Sequence, residues 1–134
     1  MALRLIDGGA LLVADDRVAL HCESGRLTAS PPPSLAGLLE VRGVGILPVP
    51  SVDSAPLGLV VDLLARPSVE RLPEPETDTL MGVALPRLGL HAFDASTPAK
   101  IRLAAASLRG GRLDRVPASL MAPANLAKPS PVAS

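Results

Sequence analysis

An α/β domain is predicted by three features of this 134-residue sequence. The run Leu11 to Ala14 is apolar without polar alternation, the pattern of a strand covered on both faces as in a parallel α/β sheet. Further strand-length apolar segments follow, separated by Gly, Pro and Ser. Segments of helical composition stand near each end, at "MALRLID" and "AKIRLAAASL". With 48% hydrophobic residues, the chain is long enough for one domain with a core and too short for two ordinary ones.

Taken in order, Met1 to Asp7 reads as a last helical turn or two, closed by Gly8 or Gly9, either of which can supply a left-handed backbone. No capping residue or staple precedes it, so the chain reads as beginning inside an element. After the strand at Leu11 to Ala14, "VALHCE" and "RLTAS" flank Ser24-Gly25 and predict a β-hairpin. The loop "SPPPSLAG" leads to "LLEVRGVGIL", a strand whose period of two would set Glu40 and Arg42 on one face and Val41 on the other. "PLGLVVDLLA" reads as a buried strand, and "MGVALPRLGL" as a weaker one, at an edge or a bend because of Pro86. Ala99 to Leu108 reads as a helix closed by Gly110-Gly111. The ordered domain is therefore expected over residues 1–109. A disordered tail rich in Pro, Ala and Ser is expected over 110–134.

Composition narrows the partners. Thirteen basic and thirteen acidic residues cancel and Phe93 is the only aromatic, so neither a phosphate-tracking surface nor a base-stacking platform is visible and nucleic acid is not expected. Cys22 has no second thiol with which to form a disulfide or a metal pair. No stretch approaches the roughly 18 apolar residues of a membrane span, and Arg4 and Asp7 interrupt any signal-peptide core. A cytoplasmic protein without a membrane partner is expected.

Two constellations could carry chemistry. In open α/β sheets ligands bind beyond the carboxyl ends of strands, and "ALLVADD" sets Asp15 and Asp16 at such an end. Paired carboxylates there suit Mg²⁺ or a base that accepts a hydroxyl proton, although Asp is also common in plain polar turns. The second is "LEVRGVGILP", Leu39 to Pro48. Glu40 and Arg42 could bind a metal and a phosphate side by side while Gly43 and Gly45 admit a close backbone approach. The same residues would also serve as a surface ion pair beside a glycine bulge. His21 and Cys22 are neighbours whose side chains point to opposite strand faces, so they form no dyad. Lone His91 reads as exposed or packed, and Glu70, Glu74, Glu76 and Asp78 as an acidic solvated loop.

Together, "ALRLIDGGALLVADD", "LEVRGVGIL" and "ERL" at Glu70 to Leu72 resemble, in order, the C-terminal catalytic domain of HPr kinase/phosphorylase, especially its short form. The resemblance runs from Ala2 to about Leu108. It implies a P-loop-kinase-like sheet with flanking helices, ATP and Mg²⁺ as cofactors, and hexameric assembly. It also implies phosphorylation of a serine of HPr, the phosphocarrier of the sugar phosphotransferase system. On this likeness the pair Asp15 and Asp16 holds the general base and Glu40 helps bind Mg²⁺ within the signature segment that contains Arg42, Gly43 and Gly45. Arg71 takes the place of a catalytic arginine. The family's G-x-x-x-x-G-K-[ST] loop and the strand before it would precede "MALRLI", and neither is found in these 134 residues. The resemblance thus implies a kinase whose sequence is truncated or whose start is read too late, or else a loop-less binding or regulatory module, or a decayed fragment without function. "RLGLHAFDASTPAK" replaces an Arg- and Gly-containing segment tied to the reverse reaction, so phosphorylase activity is not expected.

Overall fold

The computed structural model describes residues 1–116. Helix α1, Ala2–Asp7, has no side-chain cap at Met1, as its sequence suggests. Gly8 keeps an ordinary negative φ, and Gly9, with φ +104°, makes the turn away from the helix. The buried strand expected at Leu11 to Ala14 shrinks to a single parallel bridge between Leu12 and Ser51. The Leu12 N–H donates to the Pro50 carbonyl and the Val52 N–H to that of Leu12, both at 2.9 Å. Proline at position 50 has no N–H to extend the ladder. Leu12 is buried while Leu11 is exposed, so this segment is covered on one side only.

Strands β1, Ala19–Glu23, and β2, Arg26–Ser30, form the expected antiparallel hairpin. Ser24 and Gly25 both take positive φ, +53° and +74°, as a type I′ turn requires. Leu27 and Ala29 alternate into the core from β2, and Leu27 is 2% exposed. The region 38–48 differs from the single strand expected. It is a hairpin of β3, Leu38–Val41, and β4, Gly45–Pro48. The Val44 N–H returns to the Val41 carbonyl at 2.9 Å, and Gly43 at φ +86° bends the chain. Arg42 therefore lies in the turn and shares no strand face with Glu40. The prediction failed because apolar runs alone do not reveal a turn, and "RGVG" carried the turn chemistry.

Short strand β5, Ala55–Pro56, extends the first hairpin's sheet beside β2. A second sheet contains β6, Val60–Leu63, β7, Glu76–Leu80, and β8, Val83–Leu90. The run around β6 was expected to be buried, yet Val60, Val61 and Asp62 are only half-buried and Leu63 is exposed. Glu76 and Asp78 belong to β7, not to an acidic loop.

Pro86 was expected to mark an edge or a bend, but β8 is the central strand, parallel to β6 and antiparallel to β7. Alternation explains the accommodation. The β7–β8 hairpin closes on Leu80 opposite Val83 across the two-residue turn Met81-Gly82, so hydrogen-bonded pairs recur at every second residue and skip Thr77–Pro86. The proline nitrogen therefore faces the β6 side, where pairing begins only opposite Arg87.

Helix α2 spans Thr97–Ala106 and begins two residues earlier than expected, with proline in its first turn. Gly110 and Gly111 do not cap it. Their φ values of +57° and +77° turn a small hairpin between β9, Leu108–Arg109, and β10, Arg112–Leu113. Residues 110–113, assigned to the tail from sequence, are thus structured, and the rest of that tail from 117 onward lies outside the described residues. Leu12, Leu27, Ala29, Leu39, Leu85 and Ala104 supply the buried apolar core among the described residues. No helix among the described residues is long and apolar enough to cross a membrane.

Candidate functional site

The bridge between Leu12 and Ser51 explains how two distant motifs meet. Pro50 and Ser51 directly follow β4, and the Val49 N–H donates to the Gly37 carbonyl at 3.0 Å, so the base of the β3–β4 hairpin lies beside Leu12. The chain then leaves the bridge through Val13 and Ala14 into a bend holding Asp15 and Asp16. There the Asp15 carboxylate Oδ2 accepts a hydrogen bond from the backbone N–H of Glu40 at 3.2 Å. Asp15, Asp16 and Glu40 are all exposed, so these carboxylates face solvent and not core.

Alternation sets the direction of the Glu40 side chain. Leu39 is 3% exposed and anchors β3, while Glu40, next along the strand, is exposed. Arg42 and Gly43 occupy the exposed tip, and Gly45, φ +125°, opens β4. A Cβ on either Gly43 or Gly45 would meet no atom within 4 Å, so the backbone conformation, not crowding, calls for glycine at both.

Arg71 belongs to another segment. It is exposed in the loop between the 3₁₀ turn Arg66–Ser68 and β7. Among the described residues no hydrogen bond or ion pair joins it to the aspartates or to Glu40. The structure thus unites Asp15 with the signature hairpin and leaves Arg71 apart.

Sequence reasoning missed an ionic network beneath that loop. Arg87 on β8 pairs with Asp62 on β6 through both Nε and Nη2, and its Nη1 lies 3.6 Å from Glu76 Oε2 on β7. Arg66 pairs with Asp94 Oδ1, at 3.0 Å from Nε and 2.8 Å from Nη2. The Arg4 guanidinium of α1 donates to the carbonyls of Ala92 and Asp94. A signal was present, since Asp62 and Arg87 are the charged residues inside the apolar runs "LVVDLL" and "ALPRLGL". A charge retained inside such a run calls for a partner.

No group of three or more His, Cys, Asp or Glu residues is arranged to hold a metal among the described residues. Mg²⁺ in phosphoryl-transfer sites is usually held by one or two carboxylates together with substrate phosphates, so the single exposed carboxylate of Glu40 is compatible with it.

Comparison with known proteins adds three findings. Residues 1–107 match the family model described as the HPr Serine kinase C-terminal domain. The HPr kinase/phosphorylase of Clostridium tetani (strain Massachusetts / E88) is 42% identical over 69 residues, covering 46% of this chain and 23% of that protein. That of Streptococcus thermophilus (strain ATCC BAA-491 / LMD-9) is 47% identical over 55 residues, covering 40% and 18%. The matched segments thus span less than a quarter of either relative's length. Among solved structures, the Hpr(Ser) kinase/phosphatase from Coxiella burnetii superposes with a TM-score of 0.67 at 25% identity, over 76% of this chain and 70% of that one.

Proposed function

The chain belongs to the HPr serine kinase C-terminal domain family, and from that premise we propose that its residues serve an ATP-dependent kinase acting on a serine of HPr. The observation that carries this reading is the bond between Asp15 and the Glu40 N–H. It brings the Asp15 carboxylate beside the signature hairpin, which supports a site that handles both a proton and a metal-bound phosphate.

In the reaction, the HPr serine Oγ attacks the γ-phosphorus of ATP, its bond to phosphorus forms as the bond to the ADP oxygen breaks, and ADP leaves. One carboxylate of the Asp15 and Asp16 pair accepts the hydroxyl proton. Glu40 would hold Mg²⁺, which when bound neutralises charge on the phosphates. Gly43 and Gly45 allow the hairpin backbone to approach the nucleotide, and Arg42 and Arg71 counter charge on the transferring group. HPr is the partner, the assembly is a homo-oligomer as in the family, and the setting is cytoplasmic, in keeping with the lone thiol of Cys22.

A second reading is a module that docks HPr or intact kinase subunits without chemistry. Lys100 and Lys128 are the only lysines and neither follows glycine, so these 134 residues contain no G-x-x-x-x-G-K-[ST] loop, and the two readings differ in whether the whole protein carries one. The test has two arms. The chain is titrated into isotope-labelled HPr by NMR, and a fusion placing a G-x-x-x-x-G-K-[ST] segment ahead of Met1 is assayed for phosphate transfer from ATP to HPr. Transfer by the fusion supports the kinase. Binding by the chain with no transfer by the fusion selects the docking module.

A further inference from the structure

The segment that carries Arg71 lies between β6 and β7, and its two ends are tied to one residue. Arg87 stands directly opposite Glu76 in the antiparallel ladder, where facing side chains touch. On its other side Arg87 faces Val60, and Asp62 lies two residues further along that strand, hence on the same sheet face. The guanidinium reaches both carboxylates, one on the last strand before the segment and one on the first strand after it. Gly89, opposite Asp62, leaves room for Leu64 to lie across the sheet, since a Cβ there would collide with Leu64 Cδ1. Leu64, Glu70, Pro73 and Glu74 then line a shallow cleft over Arg87, so the segment folds back on the residue that ties its ends. A second tie, Arg66 to Asp94, fastens its first turn to the stretch after β8.

We propose that Arg87 is a positioning residue, whose paired contacts with Asp62 and Glu76 hold the 64–75 segment and thereby fix where Arg71 is presented. The proposal rests on the reading of Arg71 as a phosphoryl-charge residue, but the tie itself is physical and separately measurable. A planar guanidinium suits the task because its fork serves two carboxylates at once, which a single ammonium does with poorer geometry.

The experiment is timed tryptic digestion of the 134-residue chain, read by mass spectrometry. Within the segment the Arg66 bond is followed by proline and resists trypsin, so cleavage reports on the bond after Arg71. Cleavage after Arg42, at the exposed tip of the β3–β4 hairpin, is the internal control. In Arg87→Gln the Arg71 bond is expected to be cut roughly two- to fivefold faster, the scale of losing partly exposed ion pairs, with the Arg42 bond unchanged. Arg87→Lys should recover part of the protection. Glu76→Gln and Asp62→Asn, which each remove one contact, should give smaller increases confined to the same bond, and they carry the test should Arg87→Gln not fold. An unchanged Arg71 bond, or equal acceleration at Arg71 and Arg42, would overturn the proposal. Arg71→Met in the transfer-competent fusion separates the two ideas: normal HPr phosphorylation there removes the role given to Arg71 and leaves the tie standing.

Discussion

Replacing Asp15 by Asn and by Ala separates its chemistry from its contact. The Asp15 carboxylate accepts the Glu40 N–H at 3.2 Å. An asparagine amide oxygen can still accept that bond, whereas alanine cannot. A hydrogen bond to a charged group is worth about 1.5–3 kcal/mol in general. This one is exposed to solvent, which screens it to about 0.5–1 kcal/mol. For a domain of this size about 1 kcal/mol moves the melting temperature by roughly 3–4 °C. Asp15→Ala should therefore melt a few degrees below the parent, and Asp15→Asn close to it. Proton acceptance is lost equally in both, so single-turnover transfer to HPr by the loop-bearing fusion should fall about 10²–10⁴-fold in each if Asp15 is the base. Asp16→Asn is the companion, with the same loss expected if that carboxylate takes the proton. Calorimetric melting and rapid-quench transfer measure the two effects independently. Near-normal transfer in both Asn variants would reduce "ADD" to a polar turn and refute the mechanism. Identical melting of Asp15→Asn and Asp15→Ala would refute the structural half.

Glu40→Gln should raise the Mg²⁺ concentration needed for transfer in the fusion while leaving melting unchanged, because Glu40 is exposed and its backbone N–H remains; an unaltered Mg²⁺ titration would remove it from the metal site. The 134-residue chain should bind Mg-ATP at least about a hundredfold more weakly than the fusion, the cost of two or more missing charge-assisted hydrogen bonds, and micromolar affinity in calorimetry would show that the nucleotide site has been misplaced. Leu27→Ala, at a position 2% exposed, should lower unfolding free energy in urea by about 2–5 kcal/mol, whereas a loss below about 1 kcal/mol would mean the core lies elsewhere. Met81 holds a left-handed backbone at φ +48° in the β7–β8 turn, so Met81→Asn should gain about 0.5–1 kcal/mol; a loss in the same urea titration would contradict the turn geometry.

Local chemistry was legible in the sequence and long-range pairing was not. Ser24-Gly25 announced its hairpin because the turn type demands positive φ at both residues, and that demand is written in two adjacent letters. "RGVG" carried a comparable demand, but Glu40, Val41 and Arg42 lead into it with a strand's alternation, which suggests one strand where the structure has a hairpin. Leu11 to Ala14 has the composition of a covered strand, yet coverage depends on what arrives beside it, and what arrives is a proline-flanked bridge at Ser51. The site divides the same way. Asp15, Asp16 and Glu40 were singled out by residue type and family likeness, but the contact between Asp15 and the Glu40 backbone depends on that bridge. Arg87 was passed over because its meaning lies in two partners distant in sequence, Asp62 and Glu76.

Pro86 has a consequence for how β8 finds its neighbours. In the observed alignment its nitrogen faces away from β7, so no ladder bond is sacrificed there. Sliding β8 by one residue against β7 would bring that nitrogen into a hydrogen-bonded pair and strand a carbonyl of β7, a penalty of roughly 1–3 kcal/mol. The same slip would turn Leu85 out of the core and break the facing of Arg87 with Glu76. A residue usually avoided in central strands here disfavours the misaligned sheet through the backbone alone, apart from any side-chain packing.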